Sequence, residues 1–177
     1  LQIFTDRKEN VRVAGGHLVL EARRDNANMM GTKREYSSGR VRTKNRGDWK
    51  YGRIEVRAKL PAGAGLWPAI WMLGGDFSTI GWPACGEIDI MEYVGYQPNT
   101  VHSTVHTTAG SGGNGNGNSK ILETAEEEFH VYGLLWTEKE LVFYTDDPEN
   151  VTHTYAPSNK NDINWPFHKP QFFILNV

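Results

Sequence analysis

Cysteine is almost missing from this chain. Its 177 residues contain one, Cys85, which excludes an internal disulfide and any metal site built from several thiolates. An excess of one charge is also missing: 19 Lys and Arg stand against 21 Asp and Glu, a formal net charge of −2. With no long basic run, a nucleic-acid partner is not expected. No apolar run approaches the ~18 residues of a membrane-crossing helix, so no membrane partner is expected either. Long amphipathic helices are lacking too; "LETAEEEFH" (122–130) could form one short helical turn. No secretory leader is visible. The opening residues Leu1, Gln2, Ile3 and Phe4 read as the middle of a strand, and the final "QFFILNV" reads as another. The expectation is one domain over residues 1–177, truncated at both ends.

What is present is alternation. In "YGRIEVRAKLP" (51–61), Ile54, Val56, Ala58 and Leu60 share one face, and Arg53, Glu55, Arg57 and Lys59 share the other. That is the pattern of a half-buried antiparallel strand. "HLVLEARR" (17–24) repeats it, while "FHVYGLLWT" (129–137) and "LVFYTDD" (141–147) are apolar on both faces, as central strands of packed sheets are. Turn signals such as Ala14-Gly15-Gly16, Asn45-Arg46-Gly47-Asp48 and Asp146-Asp147-Pro148 separate the runs. Many strands joined by turns predict an all-β sandwich or barrel. The low-complexity "GSGGNGNGNS" (110–119) reads as a flexible surface loop.

One stretch departs from this plan. "GEIDIMEYVG" (86–95) sets Glu87, Asp89 and Glu92 among Ile88, Ile90 and Met91. Side chains alternate along a strand, so Glu87 and Asp89 share a face. Strict alternation would then send Glu92 into the core beside the isoleucines, and an unpaired buried carboxylate is costly. One extra residue removes the conflict: a β-bulge near Ile90 and Met91 returns Glu92 to the face of the other two acids. Crowded carboxylates raise at least one pKa, which yields an acid beside a base or nucleophile near neutral pH. Glycoside hydrolysis uses such a pair. Two other readings stay open at this point: a calcium cage, which apolar interleaving makes poor, and a plain solvated face.

The motif Glu-Ile-Asp-Ile-Met-Glu resembles the signature of glycoside hydrolase family 16, in the longer, bulged form typical of its laminarinases, the endo-β-1,3-glucanases. "TDRKENVRVAGGHLVLEARR", "YSSGRVRTK", "YGRIEVRAKLPAGAGLWPAIWML", "WPACGEIDIMEYVG", "VHSTVHT", "FHVYGLLWT" and "WPFHKPQFFILNV" resemble successive family blocks, so the likeness spans nearly the whole chain. The resemblance implies a jelly-roll (concanavalin A-like) sandwich of two curved antiparallel sheets with a concave cleft. It implies Glu87 as nucleophile, Glu92 as general acid and then base, and Asp89 as the residue that tunes and holds them. It implies secretion and a β-glucan partner, laminarin-like or mixed-linkage. Other family activities (agarase, carrageenase, transglycosylase) and a non-catalytic glycan-binding sandwich are the alternatives. No cofactor is required. Many members hold a structural calcium ion on terminal segments that this chain lacks, so calcium belongs to a full-length domain. A monomer is expected, with domain swapping or dimerisation open to it if edge strands are missing.

Sugar-binding candidates complete the expectation. Trp67 and Trp71 alternate onto one face of a strand that the resemblance places beside the acidic one, with a core position as the competing reading. Trp82 sits next to Pro83 in an expected loop, where an indole serves as a sugar platform. Thr100, His102, Thr104 and His106 share one face of "TVHSTVHT", and a hairpin through "GYQPN" would set that face beside the acids. Zinc held by both histidines is the weaker alternative, because a spacing of four spreads them along a strand. Arg40 and Asn10 match positions that line the family's cleft; a surface ion pair is the competing reading for Arg40.

Overall fold

The computed structural model describes residues 2–177. Strands dominate it, in two main sheets. The larger has the order Gln2–Thr5, Tyr36–Arg42, Gln171–Asn176, Ala69–Gly74, Glu87–Tyr93, Thr100–His106, Asn116–Ile121, with Arg23–Arg24 and Asp48–Trp49 attached beside this path. The smaller has the order Val151–Tyr155, Leu141–Thr145, His130–Trp136, Gly52–Ala58. Their facing sides interdigitate into one core, in which Met72, Ile88 and Val105 of the larger sheet join Tyr132, Leu134 and Phe143 of the smaller. This is an all-β sandwich, one of the two forms that the alternation predicts, in the jelly-roll arrangement that the resemblance implies. Among the described residues, no helix is long and apolar enough to cross a membrane.

The period-two patterns decide which side each residue takes. Along Gly52–Ala58, Ile54, Val56 and Ala58 pack on the core while Arg53, Glu55 and Arg57 stay in solvent. Along Thr100–His106, Val101, Ser103 and Val105 are buried, and Thr100, His102, Thr104 and His106 are half-buried on the opposite side. Along Gln171–Asn176, Phe173 and Leu175 join the main core. Phe172 and Ile174 form a second small cluster with Leu73 and Cys85 on the outer side of the large sheet. Burial pushes the Cys85 thiol up to about 11, so it is a packing residue and not a nucleophile.

One edge pairing departs from the antiparallel pattern, and one expectation needs correction. The large sheet is not wholly antiparallel, because Gln2–Thr5 runs parallel to Tyr36–Arg42. Residues 110–119 are not a free loop: after a short turn at Gly112–Asn114 they enter the strand Asn116–Ile121, which pairs along Thr100–His106. The glycines there permit close approach rather than disorder. A Cβ on Gly115 would fall 2.6 Å from His106 Cε1, and one on Gly117 would fall 2.6 Å from the Ser103 carbonyl oxygen. Low-complexity composition concealed a strand whose bare backbone lies against its neighbour.

The core side of the acidic strand anchors everything above it. Ile88→Ala leaves a void there and is expected to lower the unfolding free energy by ~2–4 kcal/mol. Val13→Ala, at a site 80% exposed, is expected to stay within ~0.5 kcal/mol. Urea denaturation of the two variants beside the parent chain measures both.

Candidate active site

The acidic strand, Glu87–Tyr93, lies between Ala69–Gly74 and Thr100–His106. Its register slips on both sides. Trp71 pairs with Asp89 and Ile70 with Met91, skipping Ile90; across the other ladder Asp89 pairs with Thr104 and Glu92 with His102, so Ile90 and Met91 together oppose Ser103. This is the predicted bulge. Ser103 Oγ–H donates to the Ile90 carbonyl at 3.0 Å, which gives the bulged backbone a partner. Ile88, Ile90 and Met91 all stay in the core, and Glu87, Asp89 and Glu92 all emerge on the outer face. Gly86 immediately precedes the strand at φ +77, where a Cβ would lie 2.7 Å from Pro166 Cγ.

The three acids line a cavity of about 640 Å³ together with Trp67, Trp71 and Asn176. A second cavity of about 580 Å³ shares Glu87 and Trp71 with the first and extends past Trp82 and Arg40. The two therefore form one cleft, with Glu92 toward one end and Glu87 at the junction. Trp67 is 55% exposed, and its Nε1–H donates to Glu92 Oε1 at 2.9 Å. Trp82 is 45% exposed at the Glu87 side, and its indole acts as a hydrogen-bond donor toward that carboxylate. Trp71 is half-buried: its Nε1–H donates to Asn176 Oδ1 at 2.8 Å, and the Arg40 guanidinium lies 5.0 Å from its ring centroid. Trp71 thus forms wall rather than open platform. Arg40 also stands 5.2 Å from the Phe4 ring. Burial and the Arg42 charge lower the Arg40 pKa, while Glu87 acts the other way.

The histidines stand beside the acids on the neighbouring strand and line neither cavity. His106 pairs with Glu87 across the ladder and places Nε2 3.1 Å from Asp89 Oδ2 and 3.9 Å from Glu87 Oε1. His102 pairs with Glu92, and its Nε2 meets Gln97 Oε1 at 3.2 Å. Asn10 is a correction. It is 0% exposed, accepts from Thr5 and Arg7, and donates to the Glu21 carbonyl and Ser37 Oγ. It ties the Gln2–Thr5 region to Tyr36–Arg42 and cannot read a sugar, because every polar atom is already engaged inside the protein. Asn176 was missed: alternation with Phe172 and Ile174 sets it on the cleft side, opposite Ala69, and that pattern was available in "QFFILNV".

Electrostatics follow from depth. Asp89 is only 3% exposed. Burial first, and the Glu92 charge second, raise its pKa well above the carboxylate range. Burial likewise pushes Glu87 up to about 8, with the Asp89 charge adding and His106 opposing. Two adjacent carboxyls that share a proton titrate as a pair. A hydrogen bond with Glu87 acts against the rise at Asp89. The pair gives up its last proton only on the alkaline side.

A model for glycosyl hydrolases family 16 matches residues 3–176. The β-glucanase of Rhodothermus marinus is 44% identical over the full chain, which covers 63% of that protein. The glucan endo-1,3-β-glucosidase A1 of Niallia circulans is 36% identical, again over the full chain, which covers 28% of it. The chain thus spans less than two thirds of the length of these relatives. The laminarinase catalytic domain of Thermotoga maritima MSB8 superposes with a TM-score of 0.92 at 40% identity, covering 100% of this chain and 71% of that one.

Raised carboxyl pKa values set a pH dependence of stability. The folded state holds these protons more tightly than the unfolded chain does. The associated stability is therefore complete below the ordinary carboxylate range and is lost as pH rises toward about 8. Asp89→Asn removes one of the two charges. Its melting temperature relative to the parent is expected to climb as pH goes from 5 to 8, in a pair of thermal melts that cancel the carboxyls elsewhere.

Proposed function

The chain belongs to glycosyl hydrolases family 16, and we propose that it cleaves β-1,3-glucan internally by a double displacement that retains anomeric configuration. The observation that carries this reading is the bulge at Ile90 and Met91, which brings Glu87 and Glu92 to one face with Asp89 between them. Retaining hydrolysis needs a nucleophile and an acid on either side of one glycosidic bond. Glu87 is the nucleophile: the Trp82 indole and the Asp89 carboxyl beside it hold its carboxylate toward the sugar C1. Glu92 is the general acid. Trp67 fixes its Oε1, so the other oxygen carries the proton to the departing glycosidic oxygen. The same Glu92 then takes a proton from water, which attacks the glycosyl–Glu87 ester.

The exposed indoles Trp67 and Trp82 stand at opposite ends of the acid row, where flat apolar faces suit the flat faces of successive glucose units. A cleft that continues past both acids suits attack within a polymer rather than at its end. The glucan is the substrate class in the names of the β-glucanase and endo-1,3-β-glucosidase relatives. The chemistry uses carboxyl groups and water alone, and every group named lies in one chain, so a monomer suffices. A polysaccharide is met outside the cytoplasm, and the reading carries a secreted place of action with it.

Reducing-end release from laminarin, lichenan, agarose and carrageenan tests the proposal. Laminarin is expected to be cleaved, lichenan to a lesser degree and the galactans not. Glu87→Ala and Glu92→Ala are each expected to lower the laminarin rate by at least ~10³-fold. Undiminished release by Glu87→Ala overturns the mechanism, release from agarose alone overturns the substrate, and laminarin binding without cleavage favours a glycan-binding role.

A further inference from the structure

His106 is not used by the proposed chemistry, yet it faces two of the three acids. Nε2 lies 3.1 Å from Asp89 Oδ2 and 3.9 Å from Glu87 Oε1, and one donor atom from each of the three residues lies within 4.8 Å of the others. Asp89 Oδ2 is buried and accepts no hydrogen bond, and His106 Nδ1 is likewise unpartnered. A side chain 3% exposed whose oxygen is aimed into the cluster with no partner has lone pairs available to a cation.

We propose that Glu87, Asp89 and His106 form a binding site for a zinc-like divalent ion that competes with the glycosidic reaction. The donor set selects the metal. One imidazole nitrogen with two carboxylate oxygens suits Zn²⁺, whereas Ca²⁺ and Mg²⁺ take oxygen ligands in larger number. The spacing agrees. Tetrahedral zinc with bonds of ~2.0–2.2 Å has ligand-to-ligand edges of about 3.3–3.6 Å, and the two measured nitrogen–oxygen separations bracket that range. The fourth position opens toward the cleft that Glu87 and Asp89 line and is taken by water. This set differs from a pair of histidines: His102 is turned to Gln97 instead. Gly115 leaves room for the His106 ring, and a Cβ there would reach 2.6 Å from its Cε1.

A metal held here occupies the Glu87 oxygen needed for attack on the sugar. Binding itself is independent of the hydrolytic reading; only its inhibitory effect rests on that reading. Zinc chloride titrated into the metal-free chain by isothermal calorimetry, with no glucan present, reads the site directly. Saturable binding of one ion per chain is expected, with magnesium and calcium giving no comparable heat. His106→Asn and Glu87→Gln are each expected to weaken zinc binding by at least about tenfold, while His17→Asn, on the exposed hairpin, leaves it unchanged. Near-UV circular dichroism verifies that each variant is folded, and a zinc-induced rise in the parent's melting temperature that is absent in Asp89→Asn gives a second readout. Equal zinc affinity in His106→Asn, or the absence of saturable binding, overturns the proposal. Laminarin hydrolysis measured with a chelator present remains a separate test of the enzyme reading, so the two can fail independently.

Discussion

An apolar core does not accept an unpaired carboxylate, and the acidic strand has to present three of them while still closing the sandwich. The extra residue at Ile90 and Met91 reconciles these demands. Both side chains turn inward, so the core loses nothing, and the next residue is carried back to the outer face. Much of the surrounding structure serves this arrangement. Ser103 supplies a hydroxyl to the bulged carbonyl, and the hydrogen-bonded neighbours on both sides fix the register. The small sheet closes beneath, where Ile88 meets the buried apolar residues of the facing strands.

Depth then differentiates chemically similar groups. Asp89 sits under the surface and Glu87 lies beside it with the Trp82 indole as donor, and burial raises both; Glu92 leans on Trp67 at the cleft's other half. No charged partner is needed to separate the roles, because burial and mutual repulsion suffice. The cations that line the cleft support aromatic surfaces instead. Arg40 lies over Trp71 and Phe4, and Lys44 lies over Phe77 and Phe172.

The sequence made some of this legible for a clear reason. Period-two alternation is a direct image of which side of a sheet each residue occupies, so the inward sets of Gly52–Ala58 and Thr100–His106 could be named in advance. The bulge was legible because the uneven spacing of the acids conflicts with burial under any regular strand. What could not be read depends on contacts between distant segments. Asn10 looked like a polar cleft residue, but two of its four partners, Glu21 and Ser37, come from segments brought beside it only by folding. The glycine-rich stretch looked free, but its lack of side chains is what lets it pair against His106 and Thr104. The parallel pairing of Gln2–Thr5 leaves no mark in either strand's pattern.

The central claim is that one inserted residue places Glu87 and Glu92 close enough across the cleft to act as nucleophile and acid on the same bond. Stereochemistry reads that separation directly, since ~5–5.5 Å between carboxyls gives retention and a gap of ~6.5–9.5 Å, with water between, gives inversion. Proton NMR of the anomeric region during the first minutes of laminarin hydrolysis measures it. The account predicts that the β-anomer of the new reducing end appears first and then mutarotates. First appearance of the α-anomer would contradict it.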